Sequence, residues 1–304
     1  MLSRELPYVN AHGTIDISAA RNVDEALELA GMNWEVTSSK VFDENNREIV
    51  GVKANIRTSD DKVLGVVSDK YKILQNNEAF DFVNELPSVG DFKFDMAGEF
   101  NGGKSIWVMG KLPEINILGD KISNNVVFVN SHDGSSGVKV MMTPVRMICA
   151  NMINLATKKA DRMWAAKHTT NVKFRIEEAK YTLNLANDYM SELSEVADYL
   201  ADRKITDAEI EAIIDKMFPV DYESDSARKI NNVALFKNNF FSCYNEKDIK
   251  KFKGSAWGAI NAMADLIDHR NPARMTSNYY SNHWNRLISG HSDLDRFYNA
   301  IIRS

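Results

Sequence analysis

Cysteine is scarce in this chain of 304 residues, and its two copies, Cys149 and Cys243, lie far apart in the sequence. Neither belongs to a CxxC motif or a Cys/His cluster, which argues against a disulfide framework or a structural zinc site and predicts buried free thiols instead. No apolar run reaches the roughly 18 residues that a membrane span requires, and the first residues lack the apolar stretch of a signal peptide. We therefore expect a folded cytoplasmic protein without a membrane partner.

The net charge of -5 is unevenly distributed, with three segments whose charges alternate in sign. Residues 138–180 carry a net charge of +6, residues 185–226 a net charge of -9, and residues 228–253 a net charge of +5. Because binding depends on local potential, an acidic total does not exclude a polyanionic partner. The alternative is that these charges cover solvated helix faces, or that the acidic segment contacts a host protein.

Apolar residues alternate with polar ones in the first half of the chain and recur at helical spacing in the second half. The alternation predicts antiparallel strands and hairpins over 34–37, 49–57, 63–67, 92–100, 105–111, 126–130 and 138–142. The helical spacing predicts helices over 179–202, 205–217, 226–244, 256–269 and 292–302. The expected class is α+β, with a β-rich core domain over 1–175 and a helical region over 176–304 that packs on or extends the core.

A polar loop interrupts two apolar strands in the middle of the chain. It contains His132, Asp133, Gly134, Ser135 and Ser136. After the second strand, Thr143 is expected to cap a helix that begins at Pro144 and carries Arg146 in its first turn. A helix N-terminus, an arginine and a glycine-rich loop together predict an anion site.

Two catalytic interpretations of the same loop remain open. His132 could act as a general base or metal ligand oriented by Asp133, which would make the chain an enzyme acting on a nucleotide or nucleic acid. Against this, neighbouring residues of a turn rarely form a catalytic triad, and the chain has neither a GxSxG elbow nor a P-loop. We therefore expect no catalytic residue, no metal and no cofactor, and a loop that shapes a binding surface.

A second candidate binding region combines positive charge with flat rings, as single-stranded nucleic acid binding requires. For Trp164 the alternative is packing in the core. The predicted nucleic-acid-binding residues are Arg146, Lys158, Lys159, Arg162, Trp164, Lys167, His168, Lys173 and Arg175.

Several motifs resemble a phage/plasmid-like family of unknown function. They are the stretch from Val67 to Phe80, Gly103 to Val108, His132 to Ser136, Thr143 to Arg146 with its downstream Cys149, Asn151, Asn154, Leu155 and Ala156, and Trp257 to Ala262. The resemblance extends from Tyr71 to Ala262 and implies a phage or mobile-element origin. It supplies no active site.

A further resemblance, at the level of fold, is to the phage single-strand annealing proteins such as RecT and the Red beta protein. It implies a ring or filament of identical subunits that holds single-stranded DNA in a basic groove, in the cytoplasm of the host cell if the chain is encoded by a phage. We therefore expect a DNA-binding protein of recombination that needs no cofactor.

Overall fold

The computed structural model describes residues 14–86, 91–146, 149–150, 163–166, 176–269 and 293–303. The first half of the chain is built from strands and the second half from helices, which confirms the α+β class. The strands are β1 (Ile15–Asp16), β2 (Val36–Phe42), β3 (Glu48–Arg57), β4 (Lys62–Ser68), β5 (Lys93–Phe100), β6 (Ser105–Ile117), β7 (Asp120–Ser131), β8 (Val138–Arg146), β9 (Cys149–Ala150) and β10 (Met163–Ala166). The helices are α1 (Val23–Leu29), α2 (Asn76–Phe80), α3 (Ile176–Asp202), α4 (Asp207–Met217), α5 (Ala227–Tyr244), α6 (Ala256–His269) and α7 (Asp293–Arg303).

The strands form two antiparallel sheets. The larger sheet has the order β1-β5-β6-β7-β8-β10, with β9 paired to β8, and the smaller sheet has the order β2-β3-β4. The β5–β6 hairpin turns at Asn101 and Gly102, where the sequence predicted a turn, and both residues have positive φ angles. Polar turn residues and glycine tolerate that conformation, which explains the turn at this point.

Helix boundaries in the second half follow local capping signals. The hydroxyl of Thr206 accepts a hydrogen bond from the backbone N–H of Glu209, and the Glu209 carboxylate accepts one from the backbone N–H of Thr206. This capping box begins α4. Helix α5 likewise follows the cap Ser226, whose hydroxyl accepts from the N–H of Lys229.

Helices cover one face of the larger sheet. Helix α3 contacts β6, β7 and β8, and α6 packs against α3, α5, α7 and β9. The buried apolar side chains form one connected core, in which Phe128 and Val140 of the sheet join Met190 of α3 and Ile260 of α6. The predicted domain boundary near residue 175 lies outside the described residues and stays a prediction.

The predicted helix at Thr143 is wrong, because residues 143–146 belong to β8. The register of β8 on β7 continues from the pair Met142 and Val126 to the pair Arg146 and Ile122. Pro144 fits here because the ladder with β10 ends at Met141 and the ladder with β9 begins only at Val145. The missing N–H of Pro144 therefore costs no described hydrogen bond, and the β-branched neighbours favour the strand.

None of the described helices is both long enough and apolar enough to cross a membrane.

Candidate functional site

His132 lies directly after β7, between the two sheets, and its side chain is fully buried. Its backbone N–H donates to the carbonyl of Lys104 over 2.8 Å, which extends the pairing of β6 and β7 by one residue. Its own carbonyl accepts a hydrogen bond of 2.6 Å from the side-chain amide of Asn55 on β3. The backbone of this residue therefore joins the larger sheet to the smaller one.

The imidazole ring of His132 is oriented by Asn76 at the start of α2. Its Nε2 lies 2.8 Å from Oδ1 of Asn76, while Nδ2 of Asn76 donates to the carbonyl of Met32 over 2.8 Å. That second bond fixes the orientation of the amide, so the oxygen faces the ring and Nε2 must carry the proton. The 3.4 Å approach of Nδ2 of Asn130 to Nε2 is a contact between two donors.

Two further polar side chains hold the connection that leads from β4 to α2. The phenol of Tyr71 donates to the carbonyl of Ser131 over 2.6 Å, and Nδ2 of Asn130 donates to the carbonyl of Leu74 over 3.2 Å. Burial raises the pKa of Tyr71 well above its usual range, and the carboxylate of Asp133 raises it further. The phenol therefore remains a protonated donor over the whole physiological range.

Trp34 closes the side of this group that faces β3. Its ring meets the imidazole of His132 edge-on, with 5.4 Å between centroids. On the same indole, the guanidinium of Arg57 lies 5.3 Å from the ring centroid and is held by Asp60, with an N–O distance of 2.6 Å. We call the side chains of Trp34, Asn55, Tyr71, Asn76, Asn130 and His132 the His132 hub.

Small residues permit the close approach of the two sheets at the hub. A Cβ atom added to Gly65 of β4 would lie 2.5 Å from the Cα of Asp133, a separation that backbone atoms do not tolerate. Gly134 adopts a φ of 79° beside Val67, a conformation that glycine reaches without steric cost. The loop thus fits β4 because a glycine stands on one side of each contact, Gly65 opposite Asp133 and Gly134 opposite Val67.

Hydrogen bonds within the loop account for its aspartate and serines. Oδ1 of Asp133 accepts from the backbone N–H of Ser135 over 2.9 Å, the pattern of an Asx turn. The hydroxyl of Ser131 accepts from the N–H of Ser136 over 3.1 Å and donates to the carbonyl of the same residue. These polar groups stabilise the turn from β7 into β8.

This arrangement does not favour acid–base chemistry at His132. Its Nε2 bonds to Asn76 and not to a serine, and the ring is fully buried, whereas a general base must reach the proton that it removes. Within the described part of the chain, the group of three metal-ligating side chains whose donor atoms converge lies elsewhere, at Cys243, Glu246 and Asp265. The hub instead satisfies buried polar groups from both sheets and α2, which fixes their relative positions.

The anion site expected at this loop lacks its main component, because no helix begins at Thr143. Arg146 lies at the far end of β8, nine positions along the strand from Gly137. At about 3.3 Å per residue, this distance is about 30 Å. Arg146 therefore cannot hold an anion beside the backbone of residues 134–137, and its role in nucleic-acid binding stays a separate prediction.

The predicted basic-aromatic segment is described only at β10, which contains Trp164. This strand pairs with β8 at the edge of the larger sheet, where Trp164 lies opposite Val140 and Ala165 opposite Lys139 in the register. The other predicted residues of the segment lie outside the described residues: Lys158, Lys159, Arg162, Lys167, His168, Lys173 and Arg175.

The fold and the hub define an α+β protein in which a buried polar cluster joins a small hairpin sheet to a larger sheet covered by helices. The chain belongs to the family described as a domain of unknown function, DUF932, which matches residues 63–288. No characterised protein and no solved structure matched the chain. The expected family resemblance is therefore confirmed as membership of a family of unknown function, and the likeness to annealing proteins stays a prediction.

Sequence reasoning identified His132 but missed most of its partners in the hub. Asn55 carried a usable signal, because asparagine is disfavoured in the middle of a strand and occurs there between apolar neighbours. Tyr71 and Asn76 fall within the stretch that resembles the family, yet no local pattern connects them with His132. Their proximity arises only when the two sheets pack together.

Proposed function

We propose that this protein binds single-stranded DNA at the β10 edge of the larger sheet, as a recombination protein of a phage or mobile element that requires no cofactor. The observation that carries the proposal is the position of β10 at the end of the sheet order. Arg162 and Lys167 directly precede and follow this strand in the sequence. A sheet edge whose strand is flanked by cations in the sequence offers phosphate contacts along an extended strand of nucleic acid.

Lys139 adds support from the neighbouring strand. It pairs with Ala165 in the register and is half-buried, and burial lowers the pKa of its ammonium group. A cation that has already lost part of its hydration gains more from a nearby phosphate than a fully solvated one does. The edge therefore combines this cation with the basic residues that flank β10.

The test measures binding of a labelled oligo-dT strand at several salt concentrations, for the wild type and for the double variant Arg162→Ala/Lys167→Ala. Each lost phosphate contact should reduce the slope of log K against log salt by about 0.7, so the variant should lose about 1.4 in slope and bind more weakly.

The matched control for this test is Lys216→Ala/Lys250→Ala, which removes the same charge from exposed positions on α4 and the 3-10 turn after α5. It should keep the wild-type slope. Absence of binding at low salt, or equal losses in the two double variants, would refute the proposal.

Self-association, the second part of the proposal, is supported by an exposed apolar face on the smaller sheet. Because paired residues of an antiparallel sheet share a face, Ala54 and Ile56 of β3 lie on the same side as their partners Val66 and Val63 of β4. Val63 is 52% exposed and Val66 is 55% exposed. The opposite side of this sheet carries Asn55 and faces the hub.

We propose that a second copy of the chain covers this valine face, the surface formed by Ile56, Val63 and Val66. Two such faces can pack on each other around a two-fold axis, because an isologous contact needs only one self-complementary patch; this contact closes at a dimer, and the ring or filament stays a separate prediction. Val66→Lys should lower the mass measured by light scattering. Leu235→Lys, on α5 at a residue that is 50% exposed, should not. A monomeric wild type at high concentration, or a mass unchanged by Val66→Lys, would contradict the proposal and leave a different protein as the partner.

A further inference from the structure

Three side chains with metal-binding donor atoms converge where α5 meets α6, far from the hub in the sequence. They are Cys243 in the last turn of α5, Glu246 just after that helix, and Asp265 on α6. The thiol sulfur and one oxygen of each carboxylate all lie within 4.8 Å of one another. Cys243 and Asp265 are buried, and Glu246 is half-buried.

The local electrostatics favour a cation at this point. Two carboxylates stand beside a thiol that ionises when it binds a metal, so the three groups together supply three negative charges. The carbonyl end of α5, a helix of 18 residues, adds the negative end of its dipole in the same turn as Cys243. Burial makes such a concentration of charge costly unless a cation compensates it.

From this convergence, we infer that Cys243, Glu246 and Asp265 bind one divalent transition-metal ion such as Zn²⁺. One sulfur and two oxygens are donors that zinc accepts at about 2.3 Å and about 2.1 Å, respectively. A tetrahedral ion at those distances needs donor atoms about 3.5 Å apart, so small side-chain rotations within the present 4.8 Å spread complete the site.

The site is expected to fasten the end of α5 to α6 and to retain a fourth position for water. These two helices pack against each other, and Ala259, Ile260 and Met263 of α6 are part of the core. Binding replaces the S–H bond of Cys243 by a metal–sulfur bond and releases that proton to solvent. Affinity should therefore rise with pH, in proportion to the fraction of thiolate.

The experiment adds Co²⁺ to the full-length protein after metal removal and records the absorption of the cobalt–thiolate bond. The expected result is a charge-transfer band that saturates at one Co²⁺ per chain and disappears when Zn²⁺ is added. Calorimetry of Zn²⁺ binding in two buffers of different ionisation enthalpy should give about one proton released per ion. At a Zn²⁺ concentration of 100 times Kd, the melting temperature should rise by about 5 °C.

Variants separate this site from adventitious binding. Cys243→Ser should abolish the band, whereas Cys149→Ser, which removes the other cysteine of the chain, should retain it with unchanged affinity. Because Cys243 is fully buried, Glu246→Gln provides a variant at a half-buried residue outside α5 that should still fold. It should weaken Co²⁺ binding by about tenfold or more. The inference fails if no thiolate band forms, if the band survives Cys243→Ser, or if Glu246→Gln binds Co²⁺ as tightly as the wild type.

Discussion

The Nε2 atom of His132 donates a hydrogen bond to Oδ1 of Asn76 over 2.8 Å, although 56 residues separate the two in the sequence. Asn76 in turn donates to the carbonyl of Met32, so one amide links the loop after β7 to the segment before β2. Both side chains are buried, so neither polar group can turn to solvent for a hydrogen bond. The imidazole N–H and the amide oxygen satisfy each other instead. A structural role for His132 follows from this pair and underlies the predictions below.

Asn76→Ala should destabilise the protein by about 2 to 3 kcal/mol. It removes two buried hydrogen bonds and leaves both the carbonyl of Met32 and the ring N–H of His132 without that partner. Urea unfolding followed by circular dichroism measures the change. Asn77→Ala, at the exposed neighbouring position, is the control and should change stability by less than about 0.5 kcal/mol. Equal stability of the two variants would show that the pair does not hold the hub together.

Gly65→Ala should cost more stability than Gly51→Ala, although both glycines lie in the smaller sheet. The added methyl group at Gly65 meets the backbone of Asp133, which forces β4 away from the loop at a cost of about 1 to 3 kcal/mol or more. Gly51 has a φ of 88° but open space around its Cβ position, so its variant carries only backbone strain of about 1 kcal/mol. Thermal unfolding of both variants measures the two stability losses. A larger loss for Gly51→Ala than for Gly65→Ala would contradict the close contact between β4 and the backbone of Asp133.

Tyr71→Phe should lower stability at neutral pH and also alter its dependence on alkaline pH. Burial raises the pKa of Tyr71 in the folded state, whereas the unfolded side chain titrates near its usual value of about 10. The contribution of Tyr71 is therefore fully present below about pH 10 and is lost as the pH rises further, because the unfolded state ionises first.

Urea unfolding at several pH values between about 8 and 11 tests this prediction for Tyr71. The stability difference between wild type and Tyr71→Phe should shrink above about pH 10. Tyr222→Phe, at a residue that is 78% exposed, should follow the wild type throughout. A difference that remains constant over the whole range would mean that the phenol is not held in its protonated form.

Secondary structure was largely predictable from the sequence because its signals are local. The capping box at Thr206 and Glu209 and the turn at Asn101 and Gly102 each depend on residues no more than a few positions apart. The error at Thr143 shows the limit of this reasoning. Thr-Pro is a good helix start, but the length of β7 offers a strand partner as far as Arg146, and tertiary pairing prevailed over the local signal.

The hub could be predicted only in part. The loop around His132 was recognisable by its polar residues, yet Asn55 reaches the carbonyl of His132 across 77 residues of sequence. No periodicity encodes such a contact, since it depends on how the two sheets pack. The same limit explains why Cys243 was expected to be an isolated buried thiol, when Asp265 approaches it from a different helix.

The most direct test of the account is the variant His132→Ala, measured for both stability and single-stranded DNA binding. We predict a loss of about 2 to 4 kcal/mol in unfolding free energy, because the ring leaves a cavity and the amide of Asn76 loses its partner. The folded fraction should bind oligo-dT with the wild-type affinity and salt slope, since the proposed contacts lie at β10. A variant as stable as the wild type that no longer binds DNA would contradict the account and make His132 part of the binding site.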